Sequence, residues 1–209
     1  MRERCIIVGG AGIKNYEHIK SDLRSDDFVI YCDSGLKHRT ALGLEPDLIV
    51  GDFDSHENPR LDVETIVLPC EKDDTDTVYA VKEAISRGFS DFLLVGVVGE
   101  RLDHTLGNVS ILLMLSSLGL HGQIYDDYSE MEIVSSNSVK ISDKYPYFSL
   151  LNITGCARGV NIKGAKYPLE NAEITTDYQY GISNEPIKGK ETVVSVGEGA
   201  LLLIKILCK

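Results

Sequence analysis

Two kinds of hydrophobic spacing divide this chain. Through about residue 125, short apolar runs alternate with helical patterns. Strands are predicted at residues 5–8, 28–32, 48–50, 65–68, 92–98 and 123–125. Several are apolar without alternation, as in parallel strands covered on both faces. Helices are predicted at 15–24, 35–42, 75–86 and 105–118. In the third, Val78, Val81 and Ile85 form one stripe and Gly88 follows as a stop; the fourth is apolar almost all round and ends at Gly119. Strand–helix alternation of this kind predicts a doubly wound, mostly parallel α/β sheet with right-handed crossovers. After Asp126-Asp127 the pattern changes to strands alone, at 132–134, 139–141, 147–153, 160–162, 172–175, 191–196 and 200–207. Turn residues such as Asn137, Gly155, Gly164, Asn171 and Gly189 separate them, which predicts an antiparallel sandwich or barrel. The expected domains are therefore 1–126 and 127–209, tightly packed because no Pro/Ser-rich linker joins them.

Charge narrows the possible partners. The net charge of −11 repels nucleic-acid backbones, but it leaves room for a phosphate ligand if a metal or local basic groups neutralise it. The hydrophobic fraction of 43% and charged fraction of 25% are those of a folded protein. No apolar run approaches the ~20 residues of a membrane span, and the N-terminus carries no signal-peptide pattern. Cys5, Cys32, Cys70, Cys156 and Cys208 are scattered singly. They form neither a disulfide framework nor a zinc motif, and a reducing cytoplasm is the expected compartment.

Ligands of open α/β sheets bind beyond the carboxyl ends of the strands. Here those ends are hydrophilic: Asp33-Ser34-Gly35, Gly51-Asp52-Phe53-Asp54-Ser55, Glu71-Lys72-Asp73-Asp74-Thr75-Asp76 and Gly99-Glu100-Arg101-Leu102-Asp103-His104. Asp52 and Asp54 are two apart, so in an extended segment both carboxylates lie on one side. Each taken alone reads as a turn or capping residue. Gathered with Asp73 and Asp76 at one edge, they suit a hard cation such as Mg²⁺. Asp74 is expected to cap the helix that follows, and Asp103 to be the N-cap of the long apolar helix. Arg101 offers a planar fork for phosphate. Lys72 reads as a phosphate contact or a solvated side chain, and His104 as structural or catalytic. Gly9-Gly10-Ala11-Gly12-Ile13-Lys14 lacks the endings of a P-loop and of a dinucleotide turn.

Taken in order, Asp33-Ser34-Gly35, Pro46-Asp47, Gly51 to Ser55, Lys72 to Asp76, and Arg101 to His104 with Asn108 resemble the thiamine pyrophosphokinase family. Gly181-Ile182-Ser183-Asn184-Glu185 is similar to that family's thiamine-side motif, so the resemblance spans nearly the whole chain. It implies transfer of the pyrophosphoryl group of ATP to the hydroxyl of thiamine, giving thiamine diphosphate and AMP. It further implies an α/β catalytic domain, a thiamine-binding β-sandwich, and a homodimer with active sites at the subunit interface. Under that reading Asp54 and Asp76 hold Mg²⁺ with Asp52 and Asp73 in support. Asp33, Lys72, Arg101, Asp103, His104 and Asn108 meet ATP. Ser183, Asn184 and Glu185 meet thiamine.

Two features depart from the family's pattern. Asp33-Ser34-Gly35 stands where relatives often carry Asp-Gly-Gly, and the chain has no tryptophan to stack on thiamine. Tyr178 or Tyr180 is the expected replacement, since a thiazolium cation favours a π face. Other readings are a Mg-dependent phosphohydrolase, a diphosphokinase for another alcohol, and a non-catalytic nucleotide or thiamine sensor. Phosphate release without thiamine marks the hydrolase; binding without AMP marks the sensor.

Overall fold

A computed structural model describes residues 3–53, 61–71 and 73–208. Asp54 and Lys72, both expected at the site, lie outside the described residues. Contacts divide the chain into Met1–Asp127 and Tyr128–Lys209.

The first unit runs β1 (Arg4–Val8), α1 (Tyr16–Lys20), β2 (Phe28–Cys32), a 3₁₀ helix (Asp33–His38), α2 (Arg39–Leu42), β3 (Leu48–Gly51), β4 (Glu64–Val67), α3 (Asp76–Ser86), β5 (Asp91–Val95), α4 (Leu102–Ser117) and β6 (His121–Tyr125). Its strands are all parallel, in the order β4-β3-β2-β1-β5-β6. Successive strands from β1 to β4 step one way, and β5 and β6 lie on the other side of β1, so the order reverses between β1 and β5. A reversal of this kind places a crevice at the carboxyl ends of the strands.

The unalternating strands are buried on both faces. Ile6, Val8, Val29, Tyr31, Leu93 and Val95 form one cluster with Ile19 of α1 and Leu42 of α2. Cys5, Ile7, Ile30 and Leu94 alternate with them and are equally buried, while α3 packs on β1, β2 and β3. The helix expected at 15–24 stops at Lys20. Beyond it the chain turns so that buried Arg4 reaches Asp27 at 2.7 Å and Asp22 at 2.6 Å. The strand expected to reach residue 98 ends at Val95, where Gly96 turns with φ +63° and its carbonyl accepts from Ala11 N at 2.7 Å.

In the second unit, β7 (Ser129–Val134), β13 (Leu201–Ile206) and β9 (Tyr147–Leu151) pair antiparallel in the order β7-β13-β9. A second antiparallel sheet is ordered β11-β10-β12-β8, from β8 (Val139–Ile141), β10 (Cys156–Lys163), β11 (Leu169–Thr175) and β12 (Thr192–Ser195). Val134, Phe148, Leu150, Leu201 and Leu203 of one sheet meet Ile141, Val160, Ile162, Ile174 and Val194 of the other in a single core. That is the expected sandwich. Among the described residues no helix is long and apolar enough to cross a membrane.

Candidate active site

The acidic segments follow β2, β3 and β4, so the parallel order delivers them to one edge. Asp33, Asp52 and Asp76 each place a carboxylate oxygen within 4.8 Å of the other two. Asp33 opens the 3₁₀ helix after β2, Asp52 follows β3, and Asp76 is the first residue of α3. Close approach of backbones makes this possible. A Cβ on Gly51 would lie 2.9 Å from the Asp33 Cβ, and one on Gly35 would lie 2.2 Å from the Val8 carbonyl oxygen. Two of the non-glycine residues with positive φ are here, Asp33 at +33° and Phe53 at +54°. Backbone strain of this kind collects where side chains must be aimed.

Three carboxylates this close repel one another, by roughly 4 kcal/mol per ionised pair at an effective dielectric of about 20. Oxygens gathered this closely could serve one hard cation together. The donor set is oxygen only, as Mg²⁺ requires. Cys32, next to Asp33, is kept a neutral thiol, first by burial and then by the nearby Asp76 charge.

Among the described residues the trio holds Asp52 and Asp76 of the expected set. Asp33, assigned to the nucleotide, stands among the ligand candidates; Asp73 is exposed and outside the trio. Asp74 does not cap α3. Thr75 does, its hydroxyl accepting from Val78 N at 3.3 Å, because Asp74 is drawn to Lys82 at 2.6 Å. Nor does Asp103 cap α4. Arg101 occupies the cap position without a side-chain bond, and Asp103 lies in the first turn. There it takes the Arg101 fork, Nε to Oδ1 at 2.9 Å and Nη2 to Oδ2 at 2.6 Å. That fork holds the Asp103 carboxyl well below the usual carboxylate range. Arg101, Asp103 and His104 are all exposed, whereas Asn108 is buried and donates to the Val97 carbonyl at 2.8 Å. Asn108 thus ties α4 to the turn after β5.

The turn after β1, slight as a sequence motif, is firmly held. Gly9 N donates to Val95 O at 2.9 Å, Lys37 donates to the Gly10 carbonyl, and the Asp127 carboxylate accepts from Lys14 N and Asn15 N. His38 lies between the Ala11 carbonyl at 2.7 Å and the Tyr16 hydroxyl at 2.8 Å. Burial lowers its pKa, and its partners fix the tautomer: Nε2–H donates to the carbonyl and Nδ1 accepts from Tyr16. Ser34 is accommodated because Gly10 faces it; a Cβ there would lie 1.8 Å from Ser34 Oγ.

A second site lies within the sandwich unit. A cleft of about 480 Å³ is lined by Ile162, Tyr167, Leu169, Tyr180 and residues 181–184. The 181–184 segment runs beside β9 with one extra residue. Leu150 N donates to Gly181 O at 2.8 Å, Asn184 and Phe148 exchange two bonds of 2.9 Å, and Ser183 between them has φ +59°. A bulge of this form re-aims a side chain, and Ser183 is exposed at the cleft. Glu185 pairs with Lys166 at 2.8 Å. Tyr178 is not among the lining residues; its ring packs on Tyr180 with centroids 5.3 Å apart. Tyr167 was not singled out from the sequence. Ten tyrosines make any one of them anonymous, and only the pairing of residues 164–167 with 184–187 brings it to the cleft.

Comparisons with known proteins identify a relative for each unit. The family model described as thiamin pyrophosphokinase, catalytic domain, matches residues 19–121, and that described as thiamin pyrophosphokinase, vitamin B1 binding domain, matches residues 132–201. The thiamine pyrophosphokinase of Bacillus subtilis is 28% identical over 181 residues, covering 83% of this chain and 84% of that protein. A crystal structure of thiamine pyrophosphokinase from Bacillus subtilis has the same fold, with a TM-score of 0.88 at 22% identity over 99% of this chain and 100% of that one. A thiamin pyrophosphokinase structure from Geobacillus thermodenitrificans gives 0.84 at 27% identity, covering 97% of each chain. With one family model seated in each unit, the chain belongs to the thiamin pyrophosphokinase family.

Proposed function

We propose that the chain transfers the pyrophosphoryl group of ATP to the hydroxyl of thiamine, releasing AMP, and that the acidic edge of the first unit is where the transfer occurs. The observation that carries this reading is the trio Asp33, Asp52 and Asp76, three like charges within 4.8 Å at the carboxyl edge of a parallel sheet. Their chemistry fits Mg²⁺, which when bound supplies the positive charge that lets a polyphosphate approach carboxylates. Asp33, Asp52 and Asp76 would hold it, with Asp54 and Asp73 in support. Lys72, His104 and the turn after β1 would meet ATP, and Asn108 keeps the turn after β5 in place. Arg101 exchanges Asp103 for the phosphates, stabilising charge on the transferred group. The thiamine oxygen attacks the β-phosphorus in line. The bond from that phosphorus to the oxygen retained by AMP breaks, and the hydroxyl proton passes to Asp52 or Asp73. Positioning and charge stabilisation supply most of the acceleration, as in other phosphoryl transfers.

We assign thiamine to the cleft of the second unit, where Ser183 hydrogen-bonds the aminopyrimidine and Glu185 favours the cation. Asn184 belongs to the same wall, and Tyr178 packs on its Tyr180. A homodimer, in which the partner subunit completes each active site, follows from the family resemblance. The five singly spaced free cysteines favour a reducing, cytoplasmic setting.

Incubation with ATP, Mg²⁺ and thiamine tests the proposal. Equimolar AMP and thiamine diphosphate are expected, and Asp76→Asn should lower kcat by about 10³-fold or more while the fold persists. ADP as the main product would mean a simple kinase, and phosphate release without thiamine would mean a hydrolase.

A further inference from the structure

We propose that Asn184 is a positioning residue that fixes Tyr167 as the aromatic wall of the sandwich cleft, and that Tyr167 presents its ring to the cationic heteroaromatic substrate. This rests on reading that cleft as the thiamine site.

Asn184 is only 4% exposed, and its carboxamide is already occupied. Nδ2 donates to the Tyr167 carbonyl at 2.7 Å, while Oδ1 accepts from Tyr167 N at 3.1 Å and Glu185 N at 2.9 Å. A carboxamide offers two donors and two acceptor positions, so three of four are spent on main chain. The partners also dictate its orientation, since exchanging O and N would set donor against donor. Asn184 therefore copies the hydrogen bonding of a β-strand neighbour and locks the main chain of Tyr167 at both its N–H and its C=O. Alanine would leave both groups to find other partners; aspartate would oppose the Tyr167 carbonyl with a charge.

Tyr167 itself is 56% exposed and lines the cleft. A large aromatic ring held open to solvent by a buried amide is an arrangement that packing alone does not explain. The ring already takes a cation, with Lys166 Nζ 5.5 Å from its centroid. Lys166 is balanced by Glu185 at 2.8 Å, so the local charge does not exclude a second, planar cation. Tyr180 is the other aromatic on the cleft, but it carries Tyr178 against its ring and its hydroxyl is tied to the Glu173 carbonyl. Tyr167, 56% exposed against 40% for Tyr180, is therefore the more open ring for stacking.

The test is a double-mutant cycle on steady-state constants, with thermal melting to monitor the fold. Tyr167→Ala should raise the KM for thiamine about tenfold while kcat and the KM for ATP stay within about twofold. Tyr167→Phe, which keeps the ring, should recover most of that loss. Asn184→Ala should raise the KM for thiamine comparably in the native background and add nothing to Tyr167→Ala, because it acts through the same ring. Additive effects would mean that Asn184 contacts the substrate itself and would overturn its positioning role. An unchanged KM in Tyr167→Ala would remove the ring from the site. If Asn184→Ala does not fold, Asn184→Asp, which keeps both accepted bonds, replaces it in the cycle. Ile182→Arg, at an exposed position on the same cleft, separates the two levels. A raised KM there with Tyr167→Ala unaffected refutes the assignment of the ring alone. No effect from either variant refutes the cleft as the thiamine site, and the proposal with it.

Discussion

Asp33 bears two local costs at once. Its φ is +33° and its carboxylate crowds those of Asp52 and Asp76. Both are stability spent on aiming a ligand. Asn tolerates positive φ at least as well as Asp and carries no charge. Asp33→Asn should therefore raise the melting temperature by about 2–4 °C in the absence of divalent cations, yet lower kcat by orders of magnitude. Mg²⁺ with ATP should then stabilise the native chain more than the variant. A variant that melts lower without metal, or that keeps its turnover, would remove Asp33 from the metal site. The sequence marks Asp33 as a turn residue at a strand end, but spacing along the chain does not say which carboxylates meet. That depends on Gly51 bringing the end of β3 against Asp33, a contact between segments that no periodicity reports. Asp73 shows the converse, since its place beside Asp76 in sequence does not carry it into the trio.

Strands and helices with continuous or striped apolar patterns are legible in the sequence because burial alone decides them. β2 and the start of β9 fall where the pattern puts them, and so does the body of α3. Element ends are less legible, because capping is decided by competing partners. Lys82 takes Asp74 and leaves Thr75 to cap α3; Arg101 takes Asp103 at the start of α4. A polar trio inside the sandwich is also hidden from pattern. Buried Lys205 on β13 reaches Glu130 at 2.8 Å and Glu132 at 2.9 Å on β7. Burial by itself would raise the Glu130 pKa, but hydrogen bonding and attraction from Lys205 hold it below its ordinary 4.5. Burial would likewise lower Lys205, and the two glutamates raise it instead. The stabilisation is thus complete above pH 4.5 and is lost as pH falls through the lowered Glu130 value. At the other end it persists below the ordinary lysine range and fades as pH rises through the raised Lys205 value. Lys205→Met would strand two buried carboxylates, costing roughly 3–5 kcal/mol near pH 7. In denaturant titrations that deficit should shrink as pH falls through the lowered Glu130 value, where the native chain loses the same attraction. A deficit unchanged with pH would mean that lost packing, not charge, sets it.

At the scale of the whole molecule, a chain of net charge −11 acts on one of the most anionic small molecules a protein meets. Near the edge where the acidic strand ends converge, Arg101 is itself paired with Asp103. The division into an α/β unit and a β-sandwich was legible because hydrophobic spacing changes at Asp126-Asp127, next to the boundary at Asp127 and Tyr128. The cleft was only half legible: Ser183, Asn184 and Glu185 stand out as a string, while Tyr167 reaches them through hairpin pairing. The proposed chemistry has a divalent ion join these carboxylates to polyphosphate. The most direct measurement is the affinity for Mn²⁺ as a paramagnetic probe, read by electron paramagnetic resonance with a non-hydrolysable ATP analogue bound. Native protein should immobilise the ion, and Asp33→Asn, Asp52→Asn and Asp76→Asn should each weaken that binding by about tenfold or more. Equal Mn²⁺ affinity in all four proteins would contradict a metal site at this edge.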